Sequence, residues 1–198
     1  MKKIGFAITS SFCTIDTILK QMILLKELGY DIIPITSNQV VECDTRFGKG
    51  IDIKNKIEKI TGKKVVSDII EAEKFGPKEK LDLLIVAPAT GNFIAKLANG
   101  ITDSTVTMAT KATLRNGSPI VIDVSTNDGL GMNGKNIMNL LNTKNIYFIP
   151  FGQDNYISKP NSLIAHYDML LPTIEEALNH NQIQPVLKEY KKIKKLQK

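Results

Sequence analysis

The sequence predicts a single α/β domain: a parallel sheet, doubly wound, with helices on both faces. Three observations carry this. Stretches such as "KKIGFAIT", "LDLLIVAPA" and "SPIVIDV" are near-continuous apolar runs, as strands buried on both faces require. Segments of helical periodicity separate these runs, so strand and helix alternate along the chain. The chain has 198 residues, 42% hydrophobic and 23% charged, which suits one globular domain large enough to bury a core.

The elements follow in order. "KKIGFAIT" is the first strand; its apolar part is too short for a secretory leader, because Thr9, Ser10 and Ser11 follow at once. "TIDTILKQMILLKELG" sets Ile15, Ile18, Leu19, Met22, Ile23, Leu25 and Leu28 on one helical stripe, with Thr14 as N-cap and Gly29 just past the end. "YDIIPITSN" is a second strand that Pro34 assigns to an edge or distorts. "KGIDIKNKIEKITG" is a polar helix ending at Gly62, "KKVV" a short third strand and "SDIIEAEKFG" a short helix. "LDLLIVAPA" is strand, "TGNFIAKLANG" helix, and "DSTVTMATKATLRNG" a helix capped by Asp103 or Ser104. "SPIVIDV" is strand, "GKNIMNLLNT" helix and "KNIYFIP" strand. A turn-rich stretch follows, and "TIEEALNH" begins a closing helix.

Residues 1–187 form the expected domain and 188–198 a basic tail. The tail holds six lysines and one glutamate, hence five of the chain's six net positive charges. The body is nearly neutral, so no nucleic-acid partner is expected. No apolar run approaches the roughly 20 residues of a membrane helix, and no membrane partner is expected. Cys13 and Cys43 are the only cysteines, with no disulfide or metal-site spacing; a reducing cytoplasm is the expected compartment.

In doubly wound sheets ligands bind outside the carboxyl ends of the strands. The residues there are Thr9, Ser10 and Ser11; Thr36, Ser37 and Asn38; Pro88 to Asn92; and Ser125 to Asp128. They are rich in hydroxyls and amides and poor in bulk. Ser10, Ser11 and Ser37 suit a phosphate, since hydroxyls and free N–H groups at helix starts point at such an anion. Simple capping explains any one of them equally well. In "PATGN", Pro88 fixes the turn, Ala89 and Gly91 let backbone approach a flat ring, and Thr90 and Asn92 offer hydrogen bonds in its plane. The plainer alternative is a tight strand-to-helix turn with Asn92 as cap.

"GLGMNG", Gly129 to Gly134, matches the dinucleotide fingerprint letter for letter. The context argues against it: "STND" separates its first glycine from the strand, and Gly134 falls where the helix begins. His166 and His180, the only histidines, lie away from any strand end and offer no base.

The "PATGN" loop resembles the Pro-Ala-Ser-Ala-Asn motif of the flavoprotein family that contains the flavin-dependent cysteine decarboxylases and flavin prenyltransferases. "ITSSF", the Thr-Ser after the second strand, and "KLANGITD" are similar to that family's other segments, and Asn127 falls where its Pro-x-Met-Asn clamp lies. The resemblance implies a Rossmann-like, flavodoxin-like fold and bound FMN. It places Thr9, Ser10, Ser11, Ser37, Pro88, Thr90, Asn92 and Asp103 at the cofactor, and Asn92 and Asn127 at a substrate carboxylate. The longer stretches "DTRFG", "STNDGLGMNGKN" and "KPNSLIAHYD" are similar to one member of that family. That similarity implies a flavoprotein subunit acting with a separate NAD(P)-dependent A subunit in spore-forming bacteria, oxidising a small dihydropyridine dicarboxylate to pyridine-2,6-dicarboxylate. A homo-oligomer is also implied. The alternative is a non-catalytic flavin-binding subunit that stabilises its partner. The decarboxylases' histidine between the second strand and the Pro-Ala loop is missing here, so their chemistry is not expected.

Overall fold

The computed structural model describes residues 1–187; the lysine tail lies outside them. Five parallel strands form the body: β1 (Lys3–Ile8), β2 (Asp31–Thr36), β3 (Leu83–Ala89), β4 (Ile120–Thr126) and β5 (Ile146–Phe148). Their order is β2-β1-β3-β4, with β5 beside the first half of β4. That is the flavodoxin-like order, whose switch point lies between β1 and β3. All of β3 and nearly all of β1 is buried, which is why these strands read as unbroken apolar runs.

Helix α1 (Ile15–Glu27) returns the chain from β1 to β2, and α2 (Asn38–Glu42), α3 (Gly50–Thr61) and α4 (Ile69–Glu73) lead on to β3. Helices α5 (Gly91–Ala98), α6 (Thr105–Arg115) and α7 (Gly134–Leu141) link β3 to β4 and β4 to β5. The chain winds outward in opposite directions from the switch point. Right-handed crossovers therefore place α1 on one face and α5 to α7 on the other. The N-cap of α6 is Ser104, in a reciprocal capping box with Thr107. Gly62 ends α3 in the left-handed conformation, at φ 71°.

The doubly wound, parallel-dominant architecture is the expected one, and two details differ. "KKVV" is not a strand: only Val66 pairs, in an isolated parallel bridge to Ile35. It still covers the edge that β2 presents, accepting the Thr36 amide and donating to the Pro34 carbonyl. Second, the sheet is mixed. β6 (Phe151–Gln153) and β7 (Leu163–Ala165) form an antiparallel pair, and β7 joins the last two residues of β4. The closing helix, α8 (Leu170–Leu178), packs on β4 and β5.

Among the described residues no helix is long and apolar enough to cross a membrane.

Candidate functional site

The carboxyl ends of β1, β3 and β4 converge on an open cleft of about 360 Å³, lined by Ser10, Ser11, Thr90, Asn92, Ser125 and Asn127 among others. A smaller cavity of about 60 Å³ adjoins it, bounded by Ser10, Ser37, Thr90, Lys96, Ser104 and Thr107 among others. The topology thus gathers residues from four separate loops at the switch point.

Three hydroxyls have different fates. Thr9 is buried, and its Oγ1 donates to the Pro88 carbonyl at 2.6 Å while accepting the Thr90 amide at 3.0 Å. This threonine ties the β1 end to the β3 loop, so its hydroxyl is already engaged. Ser11 Oγ lies 3.3 Å from Ser125 Oγ, joining the first loop to β4. Ser37 differs from both. It precedes α2, yet its side chain makes no capping bond, and its buried Oγ has no hydrogen-bond partner among the described residues. A buried hydroxyl without a partner costs about 1–3 kcal/mol. One that borders a cavity lined by further hydroxyls and by the ion-paired Lys96 has the chemistry of a phosphate ligand. On this test the residues present fit a phosphate-bearing cofactor.

The Pro88–Asn92 loop differs in detail from expectation. Pro88 is buried within β3, lines neither cavity, and contributes its carbonyl to Thr9. The cap of α5 is Thr90, whose Oγ1 accepts the Phe93 amide at 3.4 Å, and not Asn92. Asn92 is exposed and borders both cavities. Gly91 is required by crowding: a Cβ there would lie 2.6 Å from both Asn133 Nδ2 and Thr126 Oγ1. Those two groups hold Asp128, Thr126 donating to one carboxylate oxygen and Asn133 to the other, the latter at 2.8 Å. Asn136 in turn donates to Asn133 at 2.9 Å.

Asn127 is exposed at the cleft and accepts from Ser162 Oγ at 3.4 Å. Asp103 borders neither cavity; both its oxygens accept from Lys96 Nζ, at 2.9 and 2.8 Å. Lys96 itself borders the smaller cavity, although its sequence position suggests only a solvated charge. "GLGMNG" forms a turn held by the Asp128 carbonyl, and Gly129 is packed so tightly that a Cβ would meet the Leu163 side chain at 2.7 Å. Its space is filled by protein, which leaves no close approach for a pyrophosphate.

Sequence reasoning missed Asp123. It lies mid-strand in β4, fully buried, with neither oxygen hydrogen-bonded among the described residues. Burial pushes its carboxyl well above the ordinary range. The Tyr167 phenol, held nearby, is raised by its own burial and by Asp123. Asp123 and Ser125 share a face of the strand, so this acid sits one pleat beneath the cleft floor. The signal was a lone carboxylate inside the apolar run "PIVIDV".

The strand order and the switch-point cleft define a doubly wound α/β protein of the flavodoxin-like class. The chain belongs to the Flavoprotein family, whose model matches residues 1–177. It is 50% identical over 188 residues to the B subunit of dipicolinate synthase of Bacillus subtilis (strain 168), covering 95% of this chain and 94% of that protein. The crystal structure of the dipicolinate synthase B subunit from Bacillus halodurans C is similar, with 53% identity, coverage of 95% and 96%, and a TM-score of 0.88. The FMN-dependent cysteine decarboxylase SpaF shares the fold at 21% identity, with a TM-score of 0.65 and coverage of 90% and 96%.

Proposed function

We propose that this chain is the FMN-binding B subunit of a dipicolinate synthase, contributing to oxidation of a dihydrodipicolinate-type precursor to pyridine-2,6-dicarboxylate. An NAD(P)-dependent A subunit is the expected partner. The near full-length likeness to two B subunits supports this reading. The observation that carries the cofactor is the buried, unpartnered Ser37 hydroxyl beside the small cavity.

Ser10 and Ser37 would hold the phosphate, with Lys96 supplying positive charge at the rim. Thr90 and the close-packed Gly91 backbone would face the ring. Asn92 and Asn127 would donate to substrate carboxylates from the cleft mouth. When bound, the flavin would supply two-electron redox chemistry. The protein's share is orientation. No histidine borders either cavity, and the cleft's one carboxylate, Asp128, accepts a hydrogen bond on each oxygen. Forming an aromatic ring is itself favourable, so the reaction does not demand a strong base.

That same lack of an uncommitted acid or base favours a second reading, a flavin-binding subunit that stabilises its partner without itself reacting. Absorbance of the purified protein and FMN titration test the cofactor. Assaying each subunit alone and together, with and without flavin, separates the two readings. Product formation only when flavin is present supports the first; flavin-independent activity of the partner alone supports the second.

A further inference from the structure

A further cavity lies outside the cleft. It measures about 420 Å³ and opens between the start of α1 and α3. That volume falls within the range of small-molecule sites. One wall is Phe12, Ile15 and Leu19; the other is Phe47 and Ile53. Lys49, the N-cap residue of α3, and Lys56, within that helix, border it. Asn55, Asp16 and Asp52 complete the polar lining. None of these four charged groups makes an ion pair among the described residues.

Phe47 is the telling residue. It is 50% exposed, yet its turn is tightly built. Thr45 and Gly48 exchange both backbone hydrogen bonds, at 3.0 and 3.1 Å, and Thr45 Oγ1 accepts the Phe47 amide at 3.1 Å. Gly48, at φ 138°, takes a backbone conformation that side chains resist. The Gly50 amide donates to Asp44 below the turn, and a Cβ on Gly50 would lie 2.6 Å from the Val41 backbone. Arg46 stacks over the Phe47 ring, 4.8 Å from its centre. A turn closed by its own hydrogen bonds therefore presents an aromatic ring to a cavity with a second phenyl group in its wall and, at its border, two lysines and two aspartates without ion pairs among the described residues.

We infer that this cavity is a second ligand site, separate from the cleft, for a flat aromatic carboxylate. The ring would lie among Phe12, Phe47 and the aliphatic side chains, and its carboxylates would meet Lys49 and Lys56. Asp16 and Asp52 would disfavour purely anionic ligands that lack a ring to bury. The site is connected to the cleft: Cys13 borders the cavity, and its Sγ lies 3.8 Å from Ser11 Oγ, which touches Ser125 on the cleft floor. The choice of diacid rests on the proposed function.

The test titrates the purified, flavin-free chain with pyridine-2,6-dicarboxylate by calorimetry and by amide NMR. Glutarate serves as a non-aromatic diacid, and FMN is titrated separately. The expected result is saturable binding with shifts centred on Phe12 and on residues 46–49. Lys49→Glu with Lys56→Glu should weaken it by about tenfold or more, Phe47→Ala by several-fold, and glutarate should bind about tenfold more weakly than the aromatic diacid. FMN affinity should stay unchanged in these variants. Binding of the aromatic diacid without FMN binding would overturn the flavin reading and leave this site standing. Absence of saturation, equal binding of glutarate, or loss of diacid binding only with Ser37→Glu or Asn127→Asp would overturn the second site.

Discussion

Thr9 holds Thr90 in place: its Oγ1 accepts the Thr90 amide hydrogen at 3.0 Å, across 81 positions of sequence. The same hydroxyl donates to Pro88 at 2.6 Å, so one buried side chain fixes the β3 exit against β1. Thr9→Val keeps the shape and removes both bonds. It should cost about 1–3 kcal/mol, because the Thr90 amide and Pro88 carbonyl each lose a partner. Thr9→Ser should recover most of that. Urea unfolding of the three proteins checks it; a Val variant as stable as the parent would mean that the tie contributes nothing.

Ser37 poses the opposite case, a hydroxyl whose partner is absent. Ser37→Ala should leave the flavin-free protein as stable as before, or more stable by up to about 1 kcal/mol, since it removes an unsatisfied polar group. FMN affinity should fall by about tenfold if the hydroxyl binds the phosphate. Ser37→Glu should abolish binding by charge and by size. Fluorescence quenching of FMN measures both, and unchanged affinity in Ser37→Glu would remove this residue from the site.

The sheet was legible because its central strands are buried on both faces: "LLIVAPA" and "KKIGFAI" have no other reading. Periodicity also located α1, α3 and α6, with Gly62 at the end of α3 and two cap candidates for α6, Asp103 and Ser104, of which the structure uses Ser104. What was hidden depends on partners distant in sequence. The strands β6 and β7 have three residues each, too short for any alternation to register, and they exist because β4 runs on past β5. "KKVV" has the composition of a strand, but only one of its residues finds a place beside β2. At the site, the strand-end rule collected Ser10, Ser37, Thr90, Asn92 and Asn127 around the two cavities. It did not reveal that the Thr9 hydroxyl is engaged, that Asp103 is turned to Lys96, or that Ser37 lacks a partner. Those are properties of the packed state.

Asp123 should impose a pH dependence on stability. Its folded pKa is raised above the unfolded value, so the folded chain keeps its proton while the unfolded chain loses it. Below about pH 4 both states are protonated and there is no differential. Above that, stability should fall with rising pH by up to about 1.4 kcal/mol per unit, until the folded carboxyl itself ionises. Asp123→Asn removes this slope. The variant should therefore gain on the parent as the pH rises above about 4 and until the folded carboxyl ionises, read as the difference in urea midpoints. Parallel midpoints across that range would mean that the folded chain does not hold this proton.

Asn92 offers a substitution whose effects on stability and binding carry opposite signs. Thr90 caps α5, so the exposed Asn92 side chain is free of that duty. Placed in the first turn, Asn92→Asp puts a negative charge near the positive end of the helix, which favours the fold by about 0.3–1 kcal/mol. The same charge enters the border of both cavities, where a phosphate and a substrate carboxylate are proposed. The variant should be slightly more stable than the parent and distinctly poorer at binding FMN or at forming pyridine-2,6-dicarboxylate with its partner subunit. Raising the ionic strength should narrow the binding deficit, since an exposed charge at that range is screened. Asn92→Ala separates charge from hydrogen bonding: it should leave stability nearly unchanged and show a smaller binding deficit, independent of salt. If Asn92→Asp is as active as the parent in the reconstituted assay, Asn92 does not face an anion, and the carboxylate contact passes to Asn127 alone.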